Sequence, residues 1–262
     1  MIMTQIGTLA SVWRFPVKSM AGEEVERLFC SYAGFMGDRA YAFEDLAEPP
    51  RFPWLTARKH EPYLLYRPRY RDVAATLTPP HVEPAEKTPG ATSIYPPEEA
   101  FAIDVTTPSG ERFALNSPEL LAHLEAASGR RLALRHSAKG LADCAPVSLM
   151  ARQTLDGFSA LYGAPLDQRR FRMNLMFDWD RAVFAEDALI GKRLRIGDRL
   201  ELAVIDTDAR CKMITIDPDS AAAEPKIMRA LAQAHGGALG VYATVLREGV
   251  ARRGDAITLL VG

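Results

Sequence analysis

The first hundred residues are short runs of aromatic and β-branched side chains cut apart by glycine and proline, and this punctuation constrains the fold most. Residues 9–15, 25–31, 39–43 and 63–66 are each long enough for a strand and too short for a packed helix. Residues 67–97 carry Pro68, Pro79, Pro80, Pro84, Pro89, Pro96 and Pro97. Proline removes a backbone donor and fixes φ, so regular structure is excluded over most of this stretch. A long surface loop or lid is expected there, with residues 101–105 returning to a strand.

The helical signals come later. Ser117 is a natural N-cap, Pro118 suits the first helical position, Leu120, Leu121 and Leu124 form a stripe, and Gly129 supplies the stop. A second helix is expected over 150–162, before Gly163. A third is expected over 225–234, ended by Gly236 and Gly237, with Ile227, Met228 and Leu231 as its apolar face. Residues 194–202 and 250–257 each place a Gly-Asp turn between alternating segments, as at the corners of a small barrel. The pattern predicts a mixed α+β, β-rich chain. A boundary without a flexible linker is expected near 105–116, dividing the chain into 1–110 and 111–262.

A chain of 262 residues, 48% apolar with a formal net charge of -1, has material for substantial cores. It gives no reason to expect nucleic acid or an anionic membrane as partner. Cys30, Cys144 and Cys211 follow no metal-finger spacing and cannot all pair, so a reducing compartment fits better than a disulfide framework. With no signal peptide and no membrane-spanning run in view, a soluble cytoplasmic protein is expected.

Phosphate-loop, dinucleotide-fold, zincin and nucleophile-elbow motifs are missing. What remains is a thiol and four basic clusters. Cys211 lies between an alternating run and residues 213–216, which read as another strand, so its sulfur is expected at a rim or turn. Arg210 puts positive charge beside it, the setting in which thiolates bind metals or attack electrophiles. Lys18-Ser19 and Arg39 offer donors for an anion. Arg170 and Arg172, two apart in an extended segment, would point to one side as a forked phosphate or carboxylate site, though composition alone favours solvated surface arginines. Cys30, within a strand, and Cys144, with no basic neighbour in sequence, read as buried side chains. Asp187 reads as a turn or cap carboxylate.

Taken in order, these residues resemble the MOSC family, named for the C-terminal domain of molybdenum cofactor sulfurase. The resemblance rests on Trp13-x-x-Pro16-Val17-Lys18-Ser19, Gly37-Asp38-Arg39 and Leu55-Thr56-Ala57-Arg58 in the first half. In the second half it rests on Arg170-Phe171-Arg172-x-Asn174, Phe184-Ala185-Glu186-Asp187, Leu194-x-Ile196-Gly197-Asp198, Arg210-Cys211-x-x-x-Thr215-x-Asp217-Pro218 and Gly240-x-Tyr242. It implies an N-terminal β-barrel domain packed on a MOSC β-barrel with a few peripheral helices. It also implies the molybdenum cofactor, a pterin dithiolene with a phosphate. Cys211 would be the metal ligand and catalytic centre. Lys18, Ser19, Arg39, Arg172 and Asn174 would hold pterin and phosphate. Tyr242, Arg210 and the backbone at Ala209 would border the metal, and Asp143 and Cys144 fall in another cofactor-contacting stretch.

The activity so implied is an oxidoreductase of the amidoxime-reducing kind, acting on N-hydroxylated or related N- or S-oxide small molecules with electrons from separate donor proteins. The alternative is a cofactor or sulfur carrier with persulfide on Cys211; a third reading is a member binding some other phosphorylated ligand. Pyridoxal phosphate is not expected. Met173 stands where many relatives have proline, Asp208 near where many have a second cysteine, and residues 217–221 depart from the usual Asp-Pro-x-Thr-Gly. These changes surround the thiol without removing it and bear on substrate choice.

Overall fold

The structure is a computed structural model that describes residues 2–80, 82, 87–88 and 98–261. Its elements in chain order begin with β1 (Ile2–Arg14), β2 (Glu23–Val25), β3 (Arg27–Ser31), β4 (Gly34–Phe35), β5 (Tyr41–Asp45), β6 (Arg67–Tyr70), β7 (Ile103–Thr106) and β8 (Arg112–Ala114). Next come helix α1 (Pro118–Ser128), β9 (Leu132–His136), β10 (Val147–Ala151), helix α2 (Arg152–Tyr162), β11 (Leu175–Asp178), β12 (Arg193–Ile196) and β13 (Leu200–Ala209). Helix α3 (Lys226–His235), β14 (Ala238–Arg247), β15 (Gly249–Arg252) and β16 (Ala256–Val261) complete the chain.

Seven strands close a barrel in the order β11-β10-β14-β13-β12-β16-β1, with β1 returning to β11 and β2 added beside β1. Only the β10–β11 pair in this ring is parallel. The closing strand comes from the very start of the chain. Its register shifts between Gln5 and Gly7 and again between Leu9 and Ser11, bends that let one strand serve both neighbours. Gly7 sits at such a bend because a Cβ there would meet the Asp178 carbonyl oxygen at 2.3 Å.

Strand alternation fills the interior. Leu200, Leu202 and Val204 of β13, Val241, Ala243 and Val245 of β14, and Val147, Leu149 and Ala151 of β10 all enter one buried cluster with Leu9 and Val12. On the outer face Met150, Met176 and Leu239 pack under α2 and α3 through Phe158, Ile227 and Leu231. The other strands form sheets β15-β3-β4, β5-β9 and β6-β7-β8; the first packs Leu28, Cys30, Phe35 and Ala251 against the barrel cluster, and the other two border a separate core around Tyr63, Tyr66, Val105 and Leu120.

Several expectations meet their structure closely. Ser117 Oγ accepts from Leu120 N at 3.2 Å, and Gly129 ends α1 at φ 67°. Both Gly-Asp corners lie at strand ends, after β12 and before β16. Others need correction. The second helix starts at Arg152 rather than 150, because residues 147–151 pair with β11 and β14. The aromatic run at 63–66 is mostly a 3-10 turn, Glu61–Leu65, started by Pro62 and plugging Tyr63 into the second core. Within the proline-rich stretch, Arg67–Tyr70 does form a strand. It is an edge strand, where Pro68 costs no ladder bond. The lid expected beyond it falls largely on residues 81, 83–86 and 89–97, outside the described residues.

Leu9 is 1% exposed on the closing strand. Leu9→Ala should therefore lower the free energy of unfolding by about 3 kcal/mol, measured by urea denaturation.

Candidate functional site

The same alternation that sends Leu149 and Val241 inward turns Ser148 and Tyr242, partners in the β10–β14 register, outward. They join Asp208 and Ala209 of β13 in the wall of a cavity of about 280 Å³ on the barrel's outer side. Lys18, Ser19, Arg39, Phe52, Thr56 and Arg58 reach it from the N-terminal part, and residues 142–145 supply another edge. Five basic side chains (Lys18, Arg39, Arg58, Arg172 and Arg210) line it against two carboxylates, Asp143 and Asp208. A chain of nearly balanced charge thus concentrates cations at one place.

Aromatic rings and backbone oxygens hold these cations in position. Arg39 lies 4.7 Å and Arg172 4.2 Å from the centre of the Phe15 ring. Asp38 accepts from Phe15 N at 2.7 Å and also pairs with Arg39, while Arg39 Nη2 donates to the Arg172 carbonyl at 3.1 Å. Arg172 Nη1 donates to Met20 O at 2.6 Å. Lys18 Nζ donates to Leu141 O at 2.7 Å and pairs with Asp143. Burial lowers the Lys18 ammonium pKa from its ordinary value against the pull of Asp143, with Arg39 and Arg172 adding to the fall. Burial first, then Arg39, brings the Arg172 guanidinium down to about 9.

Ser19, Arg39 and Arg172 also share left-handed backbone, at φ 65°, 48° and 53°. Each such placement of a residue with a Cβ costs about 1–2 kcal/mol. Three of them around one cavity indicate geometry kept for a ligand. Arg172 Nη2, Arg210 Nε and Thr56 Oγ1 are moreover buried without a hydrogen-bond partner among the described residues.

Cys211 is exposed, just beyond the end of β13, in extended backbone before a 3-10 turn, Lys212–Thr215. The rim position matches expectation, but residues 213–216 are not the expected strand. Thr215 Oγ1 turns back to Lys212 O at 2.7 Å, and Ile214 and Ile216 enter different cores. Lys212 Nζ ties this loop to the N-terminal part through Arg58 O at 3.0 Å and Glu61 at 2.5 Å. Beside the thiol, Arg210 pairs with the Asp208 carboxylate and donates to Phe171 O. Burial pushes the Asp208 carboxyl up although Arg210 and a hydrogen bond from Tyr242 oppose it; burial and Asp208 push the Tyr242 phenol up.

The structure brings Lys18, Ser19, Arg39, Asp143, Cys144, Arg172, Asn174, Ala209, Arg210, Cys211 and Tyr242 around this single cavity. Asn174 is there as a splice. Its Oδ1 accepts from Ser148 N at 3.2 Å, and its Nδ2 donates to Trp13 O at 3.3 Å, joining β1, β10 and β11. Two residues differ from expectation. Cys144 is exposed at the cavity edge rather than buried, and Lys18 reaches the neighbouring Asp143 from far along the chain. Arg170 does not fork with Arg172. The chain turns in a 3-10 segment, Gln168–Arg170, and Arg170 pairs with Asp217 at 2.8 Å. Cys30 is buried as expected. Phe52 and Ser148 also line the cavity, and nothing local in the sequence marks them; Phe171 lines it too, from within the Arg170-Phe171-Arg172-x-Asn174 motif.

Fold and site together define a β-barrel protein with a cationic cavity and an exposed thiol at its edge. Residues 136–258 match the model of the MOSC domain, and residues 6–87 match that of the MOSC N-terminal beta barrel domain. The chain belongs to the MOSC domain family. A search of curated proteins returns no match. Among solved structures, YuaD from Bacillus subtilis is similar at 12% identity and TM-score 0.50 over 98% of this chain and 97% of that one. YiiM from Geobacillus stearothermophilus, at 20% identity and TM-score 0.36, and YiiM from Escherichia coli, at 16% and 0.33, each align with 45% of this chain and 55% of their own.

The family implies a pterin dithiolene cofactor carrying molybdenum and phosphate. The donor set here is compatible with that group. Unpartnered guanidinium and hydroxyl donors suit a phosphate, and the exposed Cys211 thiol suits a metal that arrives with its own sulfur ligands. Among the described residues no group of three or more His, Cys, Asp or Glu could hold a bare metal ion.

Arg172 is a base whose pKa falls on folding, from its ordinary value to about 9. The folded chain therefore gives up this proton before the unfolded chain does, and stability gains as pH rises through that interval. The unfolding free energy of wild type minus that of Arg172→Met should increase from about pH 8 to about pH 10.5, read from urea titrations at each pH.

Proposed function

We propose that this protein is a molybdenum-cofactor-dependent reductase of N-hydroxylated compounds or related N- or S-oxides. The observation that carries the reading is the meeting of an exposed thiol with buried, unpartnered cationic donors across one small cavity. When bound, the cofactor supplies two-electron redox chemistry at molybdenum. Cys211 would be the protein's ligand to the metal. Lys18, Ser19, Arg39 and Arg172 would hold the phosphate and pterin, drawing on left-handed backbone and on the Phe15 ring that fixes both guanidinium groups.

The remaining polar groups have supporting tasks. Arg210, held by Asp208 and Phe171 O, would keep positive charge at the thiol's side of the cavity. Tyr242 holds its proton on Oη toward the Asp208 carboxylate, which fixes the orientation of both at the cavity wall. Asn174, by splicing three strands, would keep Ser148 and the end of β1 in place. No electron-carrying group is evident in this sequence, so electrons would come from separate donor proteins.

A second reading has one observation in its favour. Cys144 is exposed and lines the same cavity as Cys211, as a protein that accepts and passes on sulfur would require. Cys211 would then carry a persulfide.

In a host that makes the cofactor, wild-type protein should contain close to one molybdenum per chain. Cys211→Ser should lose the metal and reduce an amidoxime at about a thousandth of the wild-type rate or less. Elemental analysis and a reductase assay check both, and full activity in the variant would reject the assignment. Under the carrier reading, mass spectrometry of metal-free protein should instead find one extra sulfur on Cys211, labile to reductant.

A further inference from the structure

A second cavity, of about 450 Å³, lies on the other side of Arg172 from the thiol. Trp13 of β1 and Phe15, just beyond the strand's end, contribute rings stacked with centres 6.5 Å apart and planes 19° from parallel. Glu24 of β2 stands opposite Trp13 in the strand register. Arg67 and Arg69 share the exposed face of β6, since Pro68 and Tyr70 between and beyond them are buried. Arg169 and the Pro218-Asp219 turn make the remaining wall.

The charges here are distributed unequally. Glu23 is held by Arg14 at 2.6 Å, so Arg69 reaches it only at 3.6 Å and otherwise donates to backbone oxygens of Gly22 and Pro68. Asp219 is held by Arg169 at 2.5 Å, so Arg67 reaches it only at 3.9 Å. Each of these two exposed guanidinium groups therefore has only a long ion pair to a carboxylate shared with another arginine, and buried Arg172 Nη2 lacks any partner among the described residues. Beside Trp13, the exposed Glu24 carboxylate has no ion pair or hydrogen bond among the described residues.

An aromatic platform, two cations held only by long, shared ion pairs and one unmatched carboxylate define a complementary ligand. A planar base stacks on indole, its phosphate meets the arginines, and adjacent N–H donors on its edge meet the carboxylate. Guanine presents two such neighbouring donors on its Watson–Crick edge and adenine does not. The volume lies within the range of small-molecule sites. We infer that this cavity binds a guanosine monophosphate. The inference does not rest on the cofactor reading: Arg172 lines both cavities, but Trp13, Glu24, Arg67 and Arg69 line this one and not the cavity of Cys211.

The test is calorimetric titration of the full chain with GMP, AMP, ribose 5-phosphate and inorganic phosphate. GMP should bind with one site per chain, and AMP and ribose 5-phosphate about ten-fold or more weakly. Arg67→Ala with Arg69→Ala, both exposed and removable without unfolding the chain (checked by circular dichroism), should weaken GMP by about ten-fold or more. Glu24→Gln should bring GMP and AMP to within about three-fold of each other. No binding of GMP at millimolar concentration, equal binding of ribose 5-phosphate, equal binding of AMP to wild type, or indifference to the arginine pair would each overturn the assignment.

Discussion

The barrel closes only because the first strand of the chain crosses to the strands of the last third. β1 hydrogen-bonds to β16 along its first half and to β11 along its second, so its thirteen residues are committed to a barrel otherwise built after residue 146. That commitment also places the residues just beyond the strand. Phe15 comes directly after β1, and Lys18 and Ser19 lie a few positions further on, delivered to the same edge of the barrel at which β13 releases Cys211. Asn174 reinforces the delivery by bonding the backbone of Trp13 on one side and Ser148 on the other. Barrel hydrogen bonding and cavity geometry are thus one arrangement.

The cavity is held against its own electrostatics. Two guanidinium groups lie against a single phenyl ring, and burial together with the proximity of Arg39 lowers the preference of Arg172 for charge. The ring face, the Asp38 carboxylate and two carbonyl oxygens offset part of that repulsion. Left-handed backbone at three neighbouring positions adds a further cost. An anion between the arginines relieves the repulsion and gives the unpartnered donors an acceptor. The free protein is therefore less stable than its burial of apolar surface alone would allow, and the deficit sits where a ligand can repay it.

What could be seen in the sequence was whatever short-range chemistry decides. The cap at Ser117, the stop at Gly129 and the alternation of Leu200, Leu202 and Val204 all act within a few residues, and all appear in place. Residues 63–66 and 213–216 carry strand-like side chains, but neither forms a strand: the first plugs Tyr63 into the second core from a 3-10 turn, and the second divides Ile214 and Ile216 between two cores around another. Arg170 and Arg172 look equivalent until the turn at 168–170 sends one to Asp217 and leaves the other under Phe15. The environment of Cys144 depends on Lys18, more than a hundred residues away, which composition around the cysteine cannot reveal. The cavity residues themselves were legible through ordered motifs, whereas Phe52 and Ser148 join them only in three dimensions.

Lys212, the residue after the thiol, is fastened to Arg58 O and Glu61 on a segment that precedes it by some hundred and fifty positions. That fastening makes the sulfur's placement joint property of both ends of the polypeptide. A recombination event that exchanged either end for a distant cousin's would inherit a barrel strand and a lysine fitted to surfaces it no longer met. Such a chimera would lose the anchoring of its cysteine before it lost its hydrophobic interior, so the two portions are expected to descend as one hereditary block.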